Sequence, residues 1–194
     1  MATVPTSWRD TGEMTGGADH AAPALTVWIY DTALGAAAGS VRLRNLRDRG
    51  ALQVYDAITV SWMAGVHQPR IGHLRYETSA GAARASVLGG MVGLIFLAPS
   101  AAAAAGAGIA DLARRLEGTG IDRAFLEEMH AQLRPETSAL LVLSGAVDLD
   151  VVRPAVERGL ARGDVVLMHA QLQLGAPGVL REVVRELRGY TGGA

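Results

Sequence analysis

The sequence predicts an α+β fold: a ferredoxin-like antiparallel sheet, helices on one face, and an inserted glycine/alanine-rich helical hairpin. Three observations predict it. Short β-branched and aromatic runs alternate with helical stretches in the order β-α-β-β-α-β-α-β-α, which suits helices packed on one side of a mainly antiparallel sheet. Between Arg84 and Asp111 no side chain is ionisable, so an apolar, small-residue segment interrupts that order. No repeat of 20 to 50 residues is visible in the 194-residue chain, which has the length of one domain with additions.

Taken in order, residues 1–24 are rich in Thr, Gly, Ala and Pro, lack periodicity, and read as a disordered arm. Leu25 to Tyr30 (LTVWIY) is a buried strand. Asp31-Thr32 offers an N-cap to a helix over 33–49. Its apolar side is predicted to hold Leu34, Ala37, Ala38, Val41 and Leu46, with Arg42, Arg44 and Arg47 on the wet side and Gly50 ending it. Gln53 to Met63 and Arg70 to Thr78 read as two strands joined by a turn, completing the first half of the domain at residues 25–78. After the hairpin, placed at 79–117, the second half runs over 118–188. There Asp122 caps a helix with Phe125, Leu126, Met129 and Leu133 as its stripe, and Pro135 stops it. Ser138 to Ser144 is a buried strand, Asp148 caps a helix reaching Ala161, Asp164 to Ala170 is the last strand, and Pro177 to Arg188 is an amphipathic helix. Residues 189–194 form a tail.

Within the hairpin, small residues recur at four-residue spacing. Ala85, Gly89 and Gly93 make one row with Ser86 and Gly90 beside it; Ala102, Gly106 and Ala110 make another with Ala104 and Gly108 beside it. On a helix such rows expose nearly bare backbone and permit close helix approach. Each glycine costs about 1 kcal/mol against alanine in a helix interior, so close packing must compensate. Pro99 breaks the run into a helix of about residues 80–97 and one of about 101–116. A bilayer span needs about 20 apolar residues. The arms offer 13 uncharged residues from Ala85 to Leu97 and ten from Ala101 to Ala110, so neither spans alone.

Composition excludes several activities. Net charge is −1, from 18 basic and 19 acidic residues, and the arginines are interspersed with acids, so no nucleic-acid partner is expected. With no cysteine, disulfide and thiolate chemistry are absent. The N-terminal residues lack a basic and then apolar signal pattern, which points to the cytoplasm or the cytoplasmic face of a membrane. His67 and His73 flank a turn without a carboxylate at ligand spacing, His169 alternates with apolar residues in a strand, and Glu127-Glu128 sit on a wet helix side. Gly106 and Gly108 resemble half a dinucleotide fingerprint, yet follow a proline turn instead of a strand. No enzymatic motif, metal site or cofactor is expected.

Leu25-Thr-Val-Trp-Ile-Tyr-Asp-Thr32, Asp56-Ala-Ile-Thr-Val-Ser-Trp62, Gly93-Leu-Ile-Phe-Leu-Ala-Pro99, Gly120-Ile-Asp122 with Phe125, and Ser138-Ala-Leu-Leu-Val-Leu143 together carry a resemblance. Over about residues 25–188 the chain resembles the bacterial family called domain of unknown function 1269, in its actinobacterial form. The resemblance implies an α+β domain with a glycine-rich hydrophobic hairpin, often described as a membrane protein, and no catalytic residues. Two departures stand out. Asp111, Arg114 and Arg115 interrupt the second arm, where a charge at the bilayer centre would cost at least about 2.5 kcal/mol. Glu136 replaces a turn glycine.

Two functional readings follow. In the first, the protein is a non-enzymatic homo-oligomer associated with a membrane: Gly89, Gly90, Gly93, Ala102, Gly106 and Gly108 pack the hairpins together, and Leu94, Ile95, Phe96 and Leu97 meet lipid or a second copy, with Phe96 deepest. In the second, it is a soluble ligand- or partner-binding module with the hairpin buried on its own sheet. The side chains of Leu94 to Leu97 discriminate: if they pack on Val27, Ile29 and Leu141, the domain is self-contained.

Overall fold

The computed structural model describes residues 22–74, 86–96, 107–148 and 151–191, the last range without 153, 155–156 and 158–159. Its sheet has five strands: β1 (Ala24–Tyr30), β2 (Leu52–Ser61), β3 (Arg70–His73), β4 (Ser138–Val147) and β5 (Val165–Gln171), in the order β3-β2-β4-β1-β5. All neighbouring pairs are antiparallel. Both β1 and β2 oppose β4, which therefore slots between two strands running the same way. By the same logic β1 slots between β4 and β5. Leu25, Val27 and Ile29 face one side of the sheet and Trp28 and Tyr30 the other, as the two-residue strand period requires.

The helices are α1 (Gly35–Asp48), α2 (Val87–Phe96), α3 (Ala107–Arg115), α4 (Arg123–Gln132) and α5 (Ala176–Thr191), with further helical positions at 151–152, 154, 157 and 160–161. They do not share one face, which corrects the predicted arrangement. Residues of α2 to α5 pack on the side of Val27, Ile58 and Leu141, whereas α1 packs on the side of Tyr30, Val54 and Leu140. Every central strand carries apolar side chains on both faces, and each face needs a cover.

The orientation of α1 is a second correction. Its buried residues are Ala36, Gly39, Ser40 and Leu43, while Leu34, Ala37, Ala38 and Val41 point outward. The cause is Tyr30. Its ring lies across α1 so closely that a Cβ on Gly35 would fall 2.3 Å from Tyr30 Cβ, and one on Gly39 would fall 2.3 Å from Tyr30 Oη. Only the small side of the helix fits there. Asp31-Thr32 does not cap it either. Ser138 Oγ on β4 accepts the Ala36 N–H at 2.9 Å and donates to the Thr32 carbonyl at 2.6 Å, satisfying an orphan donor of the first turn.

Several boundaries shift. Ala24 opens β1, and Gln171 Nε2 donates to the carbonyls of Ala22 and Pro23, so the end of the predicted arm is held. The last helix continues through Thr191 into the predicted tail. Gly50, Gly118 and Gly120 take positive φ, and a Cβ on Gly120 would stand 2.1 Å from the Gln171 carbonyl oxygen. Glu136 also has φ of 71°, a conformation glycine would hold with less strain.

Asp56 fixes where α2 begins. Its Oδ2 accepts from Ser86 Oγ and from the Leu88 N–H, each at 2.9 Å, and Ser86 Oγ accepts the Gly89 N–H at 2.9 Å. A carboxylate on β2 thus satisfies the positive end of a helix that has no polar side chains of its own. Replacing Asp56 by Ala should cost about 1–2 kcal/mol of stability, read as a lower urea midpoint with unchanged slope. Full stability in that variant would show that the cap contributes nothing.

Candidate functional site

The predicted functional segment is the apolar stretch, and most of its described side chains point inward. In α2, Val87, Leu88, Met91, Val92 and Ile95 are buried in the cluster that contains Val27, Ile29 and Leu141, and Leu94 and Phe96 are half-buried against it. Leu97, Ala102 and Gly106 lie outside the described residues, as does the link between α2 and α3 where the hairpin would close. A helix apolar on every side is a helix surrounded by protein or lipid. Here β2 and β4 lie beneath α2, and α5 and α3 lie beside it. Among the described residues, no helix is long and apolar enough to cross a membrane.

The glycines divide into two groups. A Cβ on Gly90 would lie 2.2 Å from Val184 Cγ1, so Gly90 is the place where α5 crosses α2. A Cβ on Gly89 would meet the ring of His73 at 2.5 Å. Close packing of these two occurs within the chain. A Cβ on Gly93 would meet no described atom within 4 Å, and one on Gly108 would meet only the Leu94 carbonyl oxygen, at 3.9 Å.

Phe96 stands between two rings of its own domain. It stacks on His130 of α4 with centroids 5.2 Å apart, and Trp62 meets it edge-on at 6.1 Å. The charges that interrupt the second arm are also accounted for. Asp111 on α3 pairs with Arg114 and, at 2.8 Å, with Arg115, which reaches Glu186 of α5 at 3.1 Å. The Arg115 hydrogen bond foremost, with Arg114 assisting, holds the Asp111 carboxyl below its usual range. These pairs are largely exposed and each contributes little, about 0–1 kcal/mol.

The described histidines stand on separate elements. His67 precedes β3, His73 lies on β3 opposite Ile58, His130 stacks on Phe96, and His169 lies on β5, 3.3 Å from Thr26 Oγ1 through its Nδ1. Among the described residues no three His, Asp or Glu side chains gather as metal ligands. Asp56 engages the first turn of α2 and holds no ligand position.

Two features are not visible in the sequence pattern. Tyr30 Oη and Asp164 Oδ1 are buried without a hydrogen-bond partner. Burial raises the Tyr30 pKa, with Arg42 opposing, Asp164 adding to the rise and Arg162 opposing again. The second is the outward stripe of α1 with its arginines. Gly35 and Gly39, four residues apart, are the available signal for it, because they mark the side of the helix that can approach Tyr30.

Gly90→Ala should destabilise by about 1–3 kcal/mol through overpacking against Val184. Gly93→Ala should be neutral or gain up to about 1 kcal/mol from helix propensity. Urea melts of the two variants check the contrast, and equal effects would refute it.

Partial desolvation against the sheet lowers the pKa of the surface residue His169, partly offset by Gln171. The unfolded chain therefore takes up this proton first as pH falls through the ordinary value of 6.5. Stability is highest above that pH and declines below it. His169→Gln should lose this part of the acid sensitivity, measured as the difference in urea midpoint between pH 7.5 and pH 5.

Residues 82–184, just over half of the 194-residue chain, match the family described as Protein of unknown function (DUF1269). The match takes in α2 to α4, β4, β5 and most of α5, and leaves β1 to β3 outside it. No curated protein and no solved structure matches the chain.

Proposed function

We propose that this chain, which belongs to the family of proteins of unknown function DUF1269, is a non-enzymatic, self-contained α+β binding module that uses its apolar segment as core. The observation that carries this reading is the burial of Val87, Leu88, Met91, Val92 and Ile95 in one cluster with Val27, Ile29 and Leu141. At about 1.5–3 kcal/mol for each fully buried aliphatic side chain, withdrawing α2 into lipid would forfeit much of the domain's stability. The strand order, with β4 between β1 and β2 and β1 between β4 and β5, supports a ferredoxin-like topology extended by β3. Cytoplasm, or the cytoplasmic face of the membrane, is the proposed location.

Homo-oligomerisation through the glycine rows is the second reading. It is favoured by Gly93, beside which no described atom lies within 4 Å, and by the exposed Gly108 beside Leu94. Membrane fractionation with a carbonate wash, followed by light scattering of the released protein, tests both readings. The proposed module leaves the membrane without detergent. A requirement for detergent would overturn it and support an inserted hairpin. A soluble oligomer whose mass falls in Gly93→Leu would assign the open glycine to self-association.

A further inference from the structure

The helix α1 presents its bulkier apolar stripe to solvent. Leu34 is 70% exposed and Val41 48% exposed, and with Ala37 and Ala38 they form a ridge at helical spacing along the outer side. Arg42 and Arg44 leave the helix on opposite flanks of this ridge, about 80° to either side at about 100° per residue. Arg49 follows at its C-terminal end. From Gly35 to Arg49 the chain carries four arginines and a single acid, Asp48, within a protein of net charge −1. Asp48 is bonded to Arg47 at 2.7 Å. Among the described ion pairs none engages Arg42, Arg44 or Arg49. Asp31 precedes the helix, and Arg162 and Asp164, paired with each other, act on Tyr30 behind it.

Resting on the module reading above, we propose that the outer face of α1 is a docking surface for an anionic lipid bilayer. An apolar ridge flanked by cations suits the boundary between acyl chains and phosphates: Leu34 and Val41 enter the interface while the guanidinium groups reach headgroup phosphates, which their forked geometry binds well. Charge selects this occupant over a second copy. Two α1 helices laid together would confront arginine with arginine, whereas an anionic surface attracts every unpaired cation of the face. The apolar area of two side chains is too small to bind alone, so the attachment is peripheral and reversible by salt. Lipid-surface attraction contributes roughly a fivefold gain in partitioning per basic residue, or on the order of 100-fold for Arg42, Arg44 and Arg49 together. Tyr30 determines the geometry: by admitting only the Gly35–Gly39 side of α1, it turns the ridge outward.

The test is cosedimentation of the full chain with vesicles of phosphatidylglycerol and phosphatidylcholine in equal parts, beside vesicles of phosphatidylcholine alone. The expected result is binding to the anionic vesicles at 50 mM salt, no binding to the neutral ones, and release at 0.5 M salt, where screening is short-ranged. Arg42→Gln/Arg44→Gln/Arg49→Gln should lose on the order of 100-fold in partitioning. Leu34→Ser/Val41→Ser should bind more weakly, and Arg185→Gln on α5 should bind as the parent does. The replaced side chains are exposed, and an unchanged urea midpoint confirms intact folding of each variant. Three outcomes overturn the proposal: no binding to anionic vesicles at low salt, equal binding to neutral vesicles, or undiminished binding of the triple variant. Failure here leaves the module reading standing, because that reading fails only if the protein needs detergent.

Discussion

The hydrogen bonds of Asp56 to the first turn of α2 decide how this domain closes. Sheet and apolar helix have no other polar connection of that kind among the described residues. A helix made of Val, Leu, Gly, Met, Ile and Phe brings no side chain to satisfy its own N-terminal amides, and burying those amides unpaired would cost about 1–3 kcal/mol each. The Asp56 carboxylate and the Ser86 hydroxyl accept three donors between them. They set α2 down over β2 and β4 at a defined height, and Gly90 then lets α5 cross close above it. Cap, helix and crossing depend on one another in that sequence.

The two faces of the sheet are covered by different means. On one, four helices enclose a large apolar cluster with α2 at its centre. On the other, Ala36 and Leu43 of α1 join a smaller cluster with Val54, Leu140 and Val142, with Tyr30 received by two glycines and Ser138 bridging β4 to the first turn of α1. Small residues act in both places, adjacent in α2 (Gly89 and Gly90) and four apart in α1 (Gly35 and Gly39). In α2 they admit the neighbouring helix and strand, and in α1 they admit an aromatic ring. Both uses are contacts within the chain.

Legibility in the sequence follows the range of the interactions. Strand positions, the Asp122 cap, the Gly50 stop and the Asp148 cap are readable because each depends on residues within a few positions. The N-terminus of α1 is not, since its partner Ser138 lies 102 residues from Ala36. The cover of both sheet faces is hidden for a related reason: β1 and β4 are apolar at consecutive positions, a pattern that marks burial on two sides but names no covering element. Within the candidate segment, the small-residue rows are visible, yet spacing alone cannot tell whether the partner is lipid, another copy or Val184. The outward stripe of α1 defeats periodicity altogether. Its apolar period is genuine and points to the wrong side, because the glycines opposite, with no hydrophobicity to contribute, fit Tyr30 better than leucine does.

Hydrophobicity and availability are therefore inverted in this chain. The segment with the strongest apolar character has its described part enclosed by sheet and helices, capped by a carboxylate and, at Phe96, set between the edge-on Trp62 and the stacked His130. The apolar side chains that do meet solvent as a row belong to α1, a helix of ordinary composition whose arginines give it the look of a solvated surface. A buried helix is ranked by what it contributes to folding, whereas a surface helix is ranked by what it leaves unsatisfied. By that second measure Leu34 and Val41, beside Arg42, Arg44 and Arg49 that enter no described ion pair, outweigh the whole length of α2, and the proposed contact with other molecules lies on the face of the sheet that carries the smaller core.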